Sequence, residues 1–211
     1  MKKITFLLNA LAVAVLFTAF SCRKGNINPP PTMNSAPDVN AGPDINLQIP
    51  ATHTILPGFA YDANTNIKEY KWRKIAGPES YFIEWPYNLS PKLIWLEEGD
   101  YEFELSATDQ GGSIDKDTVK VSVHSTLRKY VLSNLIPNAA GFSIAQIPDE
   151  VRNNLKWVFG KSAGRCEQAT AGPLPNIDYN FGGYYYMLLP GNQISVFGGY
   201  AGFNADLIIY Y

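Results

Sequence analysis

Between residues 36 and 124 the chain alternates apolar and polar positions in short runs. Ile45, Leu47 and Ile49 alternate with Asn46 and Gln48 before Pro50 stops the run. In 67–75, Tyr70 and Trp72 share one face while Glu69, Lys71 and Arg73 share the other. Tyr101, Phe103, Leu105 and Ala107 alternate with Glu102, Glu104 and Ser106, and Val119, Val121 and Val123 line one face of 118–123. A period of two marks a strand with one buried face. Shorter strands are predicted at 52–59, interrupted by Pro57-Gly58, and at 92–96. Gly77-Pro78 and Asp109-Gln110-Gly111-Gly112 supply turns at the intervals of an all-β sandwich.

Beyond His124 the pattern predicts strands at 129–132, 141–147, 155–159, 184–189, 193–197 and 206–211, with Pro190-Gly191-Asn192 as a turn. Pro148-Asp149-Glu150-Val151 suits one helical turn, with too little after it for a helix. The Gly/Ala/Pro-rich stretch 162–175, which holds Cys166, reads as a long loop. The predicted class is all-β: an N-terminal immunoglobulin-like sandwich over 36–124, then a second small β-sandwich over 125–211. Trp72 on the third strand and Tyr101 after Gly99-Asp100 suit the core tryptophan and tyrosine corner of such sandwiches, while the inter-sheet cystine is missing.

Several blocks at ordered spacing then stand out: Ala41-Gly42-Pro43-Asp44, Leu47-Gln48-Ile49-Pro50, 70–78 (YKWRKIAGP), 99–105 (GDYEFEL), Thr108-Asp109 and Asp117-Thr118-Val119. Together they resemble the PKD-like domains of bacterial secreted and surface proteins. The C-terminal part is similar to small β domains that follow such modules in lipoproteins of Bacteroidetes-type bacteria. The resemblance implies a spacer or interaction module in the company of adhesive and polysaccharide-degrading systems, and no activity. Some relatives bind calcium near a loop after the second strand. Here that stretch offers Asp62 and Asn64, too few oxygens for an ion that takes six to eight, so no metal is expected.

The N-terminus has a different pattern. Lys2-Lys3 precede an apolar run from Ile4 to Phe20, and Ala19 and Ser21 put small residues ahead of Cys22. This is the layout of a secretory signal over 1–21, and the run lies at the short limit of the ~17–25 residues that span a bilayer. Thr18-Ala19-Phe20-Ser21-Cys22 resembles the lipobox of bacterial lipoproteins, which implies a lipidated Cys22 and a membrane partner. Residues 22–35, with Pro29-Pro30-Pro31, suit a flexible tether. The expected location is the bacterial cell envelope, facing the periplasm or the surface. With Cys22 acylated, Cys166 has no disulfide partner.

Composition removes whole classes of function. With 46% hydrophobic and 17% charged residues and a net charge of −2, the chain is neither disordered nor built for nucleic acid. The two histidines, His53 and His124, sit in no nucleophile motif, and Cys166 has only Arg165 beside it to lower its pKa. Glu84, Glu97, Glu98, Asp109 and Asp115 are too many and too scattered to nominate a glycosidase pair. No phosphate loop is present, and no cofactor is expected. Aromatic residues, 13% of the chain, are the remaining lead. Trp85, Tyr87, Trp95, Tyr184, Tyr186 and Tyr200 are the candidate ligand-binding rings, because flat exposed rings stack on sugars or anchor protein interfaces. The expected function is therefore a non-catalytic extracytoplasmic binding or scaffolding module with an envelope protein or a glycan as partner. A carbohydrate-binding module of a polysaccharide-utilisation system is the first alternative, and a small hydrolase the second.

Overall fold

The computed structural model describes residues 33–64, 66–138, 142–162, 164–171, 184–198 and 205–211. The expected signal segment, Cys22, most of the tether and Tyr200 lie outside them. Residues Asn34–Tyr211 form one compact unit, and among the described residues it is all-β apart from a single short helix.

The first nine strands are β1 (Asp38–Asn40), β2 (Ile45–Gln48), β3 (Thr54–Ile55), β4 (Phe59–Tyr61), β5 (Ile67–Ala76), β6 (Phe82–Glu84), β7 (Lys92–Ile94), β8 (Gly99–Asp109) and β9 (Ile114–His124). One sheet has the order β2-β9-β8-β5, antiparallel except for the β2–β9 pair. Facing it are the three-stranded sheet β3-β7-β6 and the pair β1-β4. The alternating residues deliver the core as the period of two requires. Trp72, Tyr101, Phe103, Leu105, Val119, Val121 and Val123 come from one side, and Leu56, Ile83, Leu93 and Leu96 from the other. Each such side chain stabilises by roughly 1.5–3 kcal/mol on leaving water. β1 and β6 carry no readable alternation because each is three residues long. Side chains hold β1 in place: Val39 N donates to Asp115 Oδ2 at 2.9 Å and Ala41 N to Asp117 Oδ2 at 2.8 Å.

The tyrosine corner is formed. Tyr101 is 1% exposed; its hydroxyl donates to Ser80 O at 2.9 Å and accepts from Glu97 N at 2.9 Å. Gly77 lies beneath it with φ 110°, and a Cβ there would come within 2.6 Å of Asp100 O, so the turn before β6 requires glycine.

The remaining elements are β10 (Lys129–Leu135), β11 (Phe142–Gln146), α1 (Asp149–Asn154), β12 (Trp157–Ser162), β13 (Arg165–Gln168), β14 (Thr170–Ala171), β15 (Tyr184–Leu189), β16 (Gln193–Gly198) and β17 (Ala205–Tyr210). They form sheets of order β10-β17-β12-β13 and β11-β16-β15-β14. Two local expectations are corrected here. The stretch 162–175 contains β13 and β14, since Arg165–Gln168 pair antiparallel with β12 and Thr170–Ala171 pair parallel with β15. The turn at Pro148 extends to a six-residue helix that buries Val151, with Asp149 and Glu150 in its first turn where carboxylates favour the helix dipole.

The inner strands β17 and β12 of the sheet β10-β17-β12-β13 are buried on both faces. Val158, Leu207 and Ile209 turn to a second core with Ile147, Val151 and Ile194. Phe159, Cys166, Ile208 and Tyr210 turn the other way and join the Trp72 core. A strand covered on both sides needs apolar residues at consecutive positions, which is why β17 reads Leu207-Ile208-Ile209-Tyr210 rather than alternating. Ion pairs rim this junction: Lys161 Nζ to Glu97 Oε2 and Lys129 Nζ to Glu98 Oε2, both at 2.7 Å.

Candidate binding surface

The core tryptophan also shapes the surface above it. Trp72 N donates to Pro86 O at 2.8 Å and Trp72 Nε1 donates to Leu89 O at 3.1 Å. Those two bonds fix both ends of the turn after β6, which Asn88 N closes by donating to Trp85 O at 2.9 Å. Within that turn Trp85 takes φ 59° and is 77% exposed, and Tyr87 is 59% exposed. A bulky residue at positive φ costs about 1–3 kcal/mol, and such strain gathers where a side chain must be presented in one direction. β4 abuts the same turn, because a Cβ on Gly58 would meet Leu89 O at 2.5 Å and the Trp72 ring at 2.7 Å. Strand alternation from Gly58 then puts Phe59 and Tyr61 outward on one face. Sequence reasoning missed these two rings, since the strand expected at 52–59 was read through Pro57-Gly58 and ended before Tyr61. This part of the molecule exposes the rings of Phe59, Tyr61, Trp85 and Tyr87 on two elements that approach each other at Gly58 and Leu89. It can present flat apolar area at low entropic cost.

The other candidate rings lie elsewhere. Trp95, at φ 63°, is half-buried, with its ring 5.1 Å from that of Phe82 and 4.3 Å from the Arg165 guanidinium. It serves the junction between the two halves. Tyr186 packs against the second core, where burial raises its pKa. Tyr184 begins β15, but its side chain lies outside the described residues, as does all of Tyr200.

The candidate catalytic groups have structural occupations. Cys166 is 2% exposed and burial pushes its thiol up to about 12, so it is inert, opposite to the effect expected of Arg165. Arg165 is engaged by the Trp95 ring and by Glu167 at 2.8 Å. Asp109, fully buried, would be raised by burial, but hydrogen bonds from Asn34, Ser113 and Gly111 outweigh it and hold the carboxyl below its usual range. Asp62 accepts from Asn64 N in a local turn. Among the described residues no three His, Cys, Asp or Glu side chains gather as metal ligands. A cleft of about 510 Å³, lined by Ile49, Leu127, Leu155 and Trp157 with Gln48 and Lys156 at its edge, brings no acid–base pair together.

With this geometry in hand, comparison with known proteins is informative for the first sandwich. The K319L-like PKD domain family matches residues 41–123. Human low-density lipoprotein receptor-related protein 11 is 32% identical over 77 residues, covering 36% of this chain and 15% of that protein. Human dyslexia-associated protein KIAA0319 is 32% identical over 95 residues, covering 44% of this chain and 9% of that protein. The chain therefore spans a small fraction of the length of these human relatives. Among solved structures, the PKD domain of the KIAA 1837 protein is similar at 28% identity with a TM-score of 0.39, covering 44% of this chain and 90% of that one. The segment 41–123, with its buried Trp72 and its Tyr101 corner, is thus similar to PKD-type, immunoglobulin-like domains.

Proposed function

We propose that the protein is a non-catalytic binding or scaffolding module, held at a bacterial cell envelope through a lipidated Cys22, and that Trp85, Tyr87, Phe59 and Tyr61 form its contact surface for an envelope protein. The observation that carries the reading is Trp85, held 77% exposed on a positive-φ turn that the core tryptophan fixes. A strained turn that displays the largest side chain to water has no folding advantage, whereas buried Trp and Tyr anchors supply most of the energy of protein interfaces. Trp85→Gly removes both ring and strain. Relief of the positive-φ strain is offset by the freer unfolded chain, so thermal stability is expected to stay within about 1 kcal/mol of the wild type while capture of the partner in envelope crosslinking is abolished. Undiminished capture by Trp85→Gly refutes the surface.

The anchor has its own test. One acyl chain binds membranes only marginally and stable anchoring takes two signals, so Cys22→Ala moves the protein from the membrane fraction to the soluble one. Unchanged partition refutes the anchor and leaves the surface intact. Glycan binding is the second reading, favoured by the same flat rings, with Asn40 opposite Phe59 in the β1–β4 ladder and Asn88 closing the Trp85 turn. Retention of the wild type, but not Trp85→Gly, on a polysaccharide column selects it over a protein partner.

A further inference from the structure

One strand of the second sandwich is left open. β11 pairs with β16 on one side only, with Ser143 opposite Val196 and Ala145 opposite Ile194. Flanking bonds reveal which way its backbone groups point. Asn138 N donates to Phe142 O at 2.7 Å and Phe142 N donates to Asn138 Oδ1 at 3.1 Å, so the groups of Phe142 face away from β16. Ile147 N donates to Asn192 O at 2.8 Å, so Ile147 faces toward it. Backbone groups alternate in direction along an antiparallel strand. Ser143 and Ala145 therefore bond β16, and the N–H and C=O of Ile144 and Gln146 point to the open side. Among the described residues none of these groups has a partner.

Several other sheet edges are guarded by charges or register breaks, and the uncharged edges β2, β3, β4 and β14 are only two to four residues long. β5 carries Lys68, Glu69, Lys71 and Arg73, β13 carries Arg165 and Glu167, and β10 carries Lys129 and a register break between Leu132 and Leu135. β11 reads Phe-Ser-Ile-Ala-Gln, has neither charge nor proline, and leaves Ile144 55% exposed.

We propose that β11 docks a second copy of this chain by antiparallel β11–β11 pairing about a two-fold axis at Ala145. In that register Ile144 lies opposite the second copy's Gln146, and Gln146 opposite its Ile144. Every open N–H and C=O on both strands is then bonded. The ladder also ends where it must. The next outward position, Phe142, faces the second copy's Pro148, which has no N–H, and Phe142 is already bonded to Asn138. An unrelated peptide has no reason to match both stops, whereas the strand matches itself. Self-pairing brings no like charges together, sets the small Ala145 against itself, and covers part of the exposed Ile144 side chain.

The test uses the full chain in mild detergent. Sedimentation equilibrium is expected to give twice the single-chain protein mass. Ile144→Pro deletes an N–H that the chain's own sheet does not use, and Ile144→Lys adds an edge charge while keeping every backbone group. Both are expected to give the single-chain mass while keeping a cooperative thermal transition whose midpoint, unlike that of the wild type, no longer depends on protein concentration. Ala145 meets itself in a non-hydrogen-bonded pair, with Cα atoms ~4.5 Å apart, within disulfide range. Ala145→Cys is thus expected to form a covalent dimer on mild oxidation beyond the wild-type background, and Ser143→Cys is not. A single-chain mass for the wild type, a doubled mass surviving both Ile144 variants, or no crosslink from Ala145→Cys each overturns the proposal.

Discussion

Two polar side chains show how much single residues contribute. The Tyr101 hydroxyl occupies Ser80 O and Glu97 N at once, so Tyr101→Phe leaves both buried groups unpaired and should cost about 1–3 kcal/mol, read as a lower urea midpoint with an unchanged slope. Asp109 behaves differently because it is charged. Its folded pKa lies below its ordinary value, so the unfolded chain binds more protons in acid. Its stabilising contribution is complete above the unfolded carboxylate value near ~3.9 and is lost as pH falls through the lower folded value. Melting temperatures of wild type and Asp109→Asn should therefore converge as pH is taken from about 5 down to about 2. A gap independent of pH refutes the assignment.

At the scale of elements, β1 depends on carboxylates as much as on its ladder with β4. Asp115 and Asp117 alternate with Ile114, Lys116 and Thr118 on β9 and reach across to Val39 N and Ala41 N. Hydrogen bonds to charged groups are worth about 1.5–3 kcal/mol each. Asp117→Ala should speed amide exchange at Ala41 by one to two orders of magnitude, on the order of 1.4 kcal/mol per factor of ten, while Phe103 and Val121 on the central strands stay protected.

For the whole molecule, the shared core is the decisive feature. Phe159, Cys166, Ile208 and Tyr210 complete the cluster around Trp72 and Tyr101, so ending the chain after His124 would uncover part of that cluster. Such a truncation is expected to melt well below the full chain and to bind a hydrophobic dye. A truncated domain as stable as the full chain, with no dye binding, refutes the shared core. The rim pairs Lys161–Glu97 and Lys129–Glu98 are partly exposed and add little beside that apolar contact.

The sequence by itself determined the elements whose signal is local. Alternation in β5, β8 and β9 placed the strands and the inward positions of Trp72, Tyr101 and Val119, because a period of two with one buried face is readable without knowing the partner. The ordered blocks over 36–124 carried the resemblance to PKD-like domains, whose family model matches 41–123. Tertiary structure alone decided the rest. β17 and β12 lie between two cores, so their apolar runs hold no clue to which neighbour takes which face. Trp85 and Trp95 are both tryptophans near strand ends at positive φ, yet one stands in water and the other lies under Arg165. Exposure of a ring depends on what the distant chain lays over it, and for Trp95 that covering residue comes from β13, a strand hidden inside what composition presents as a loop.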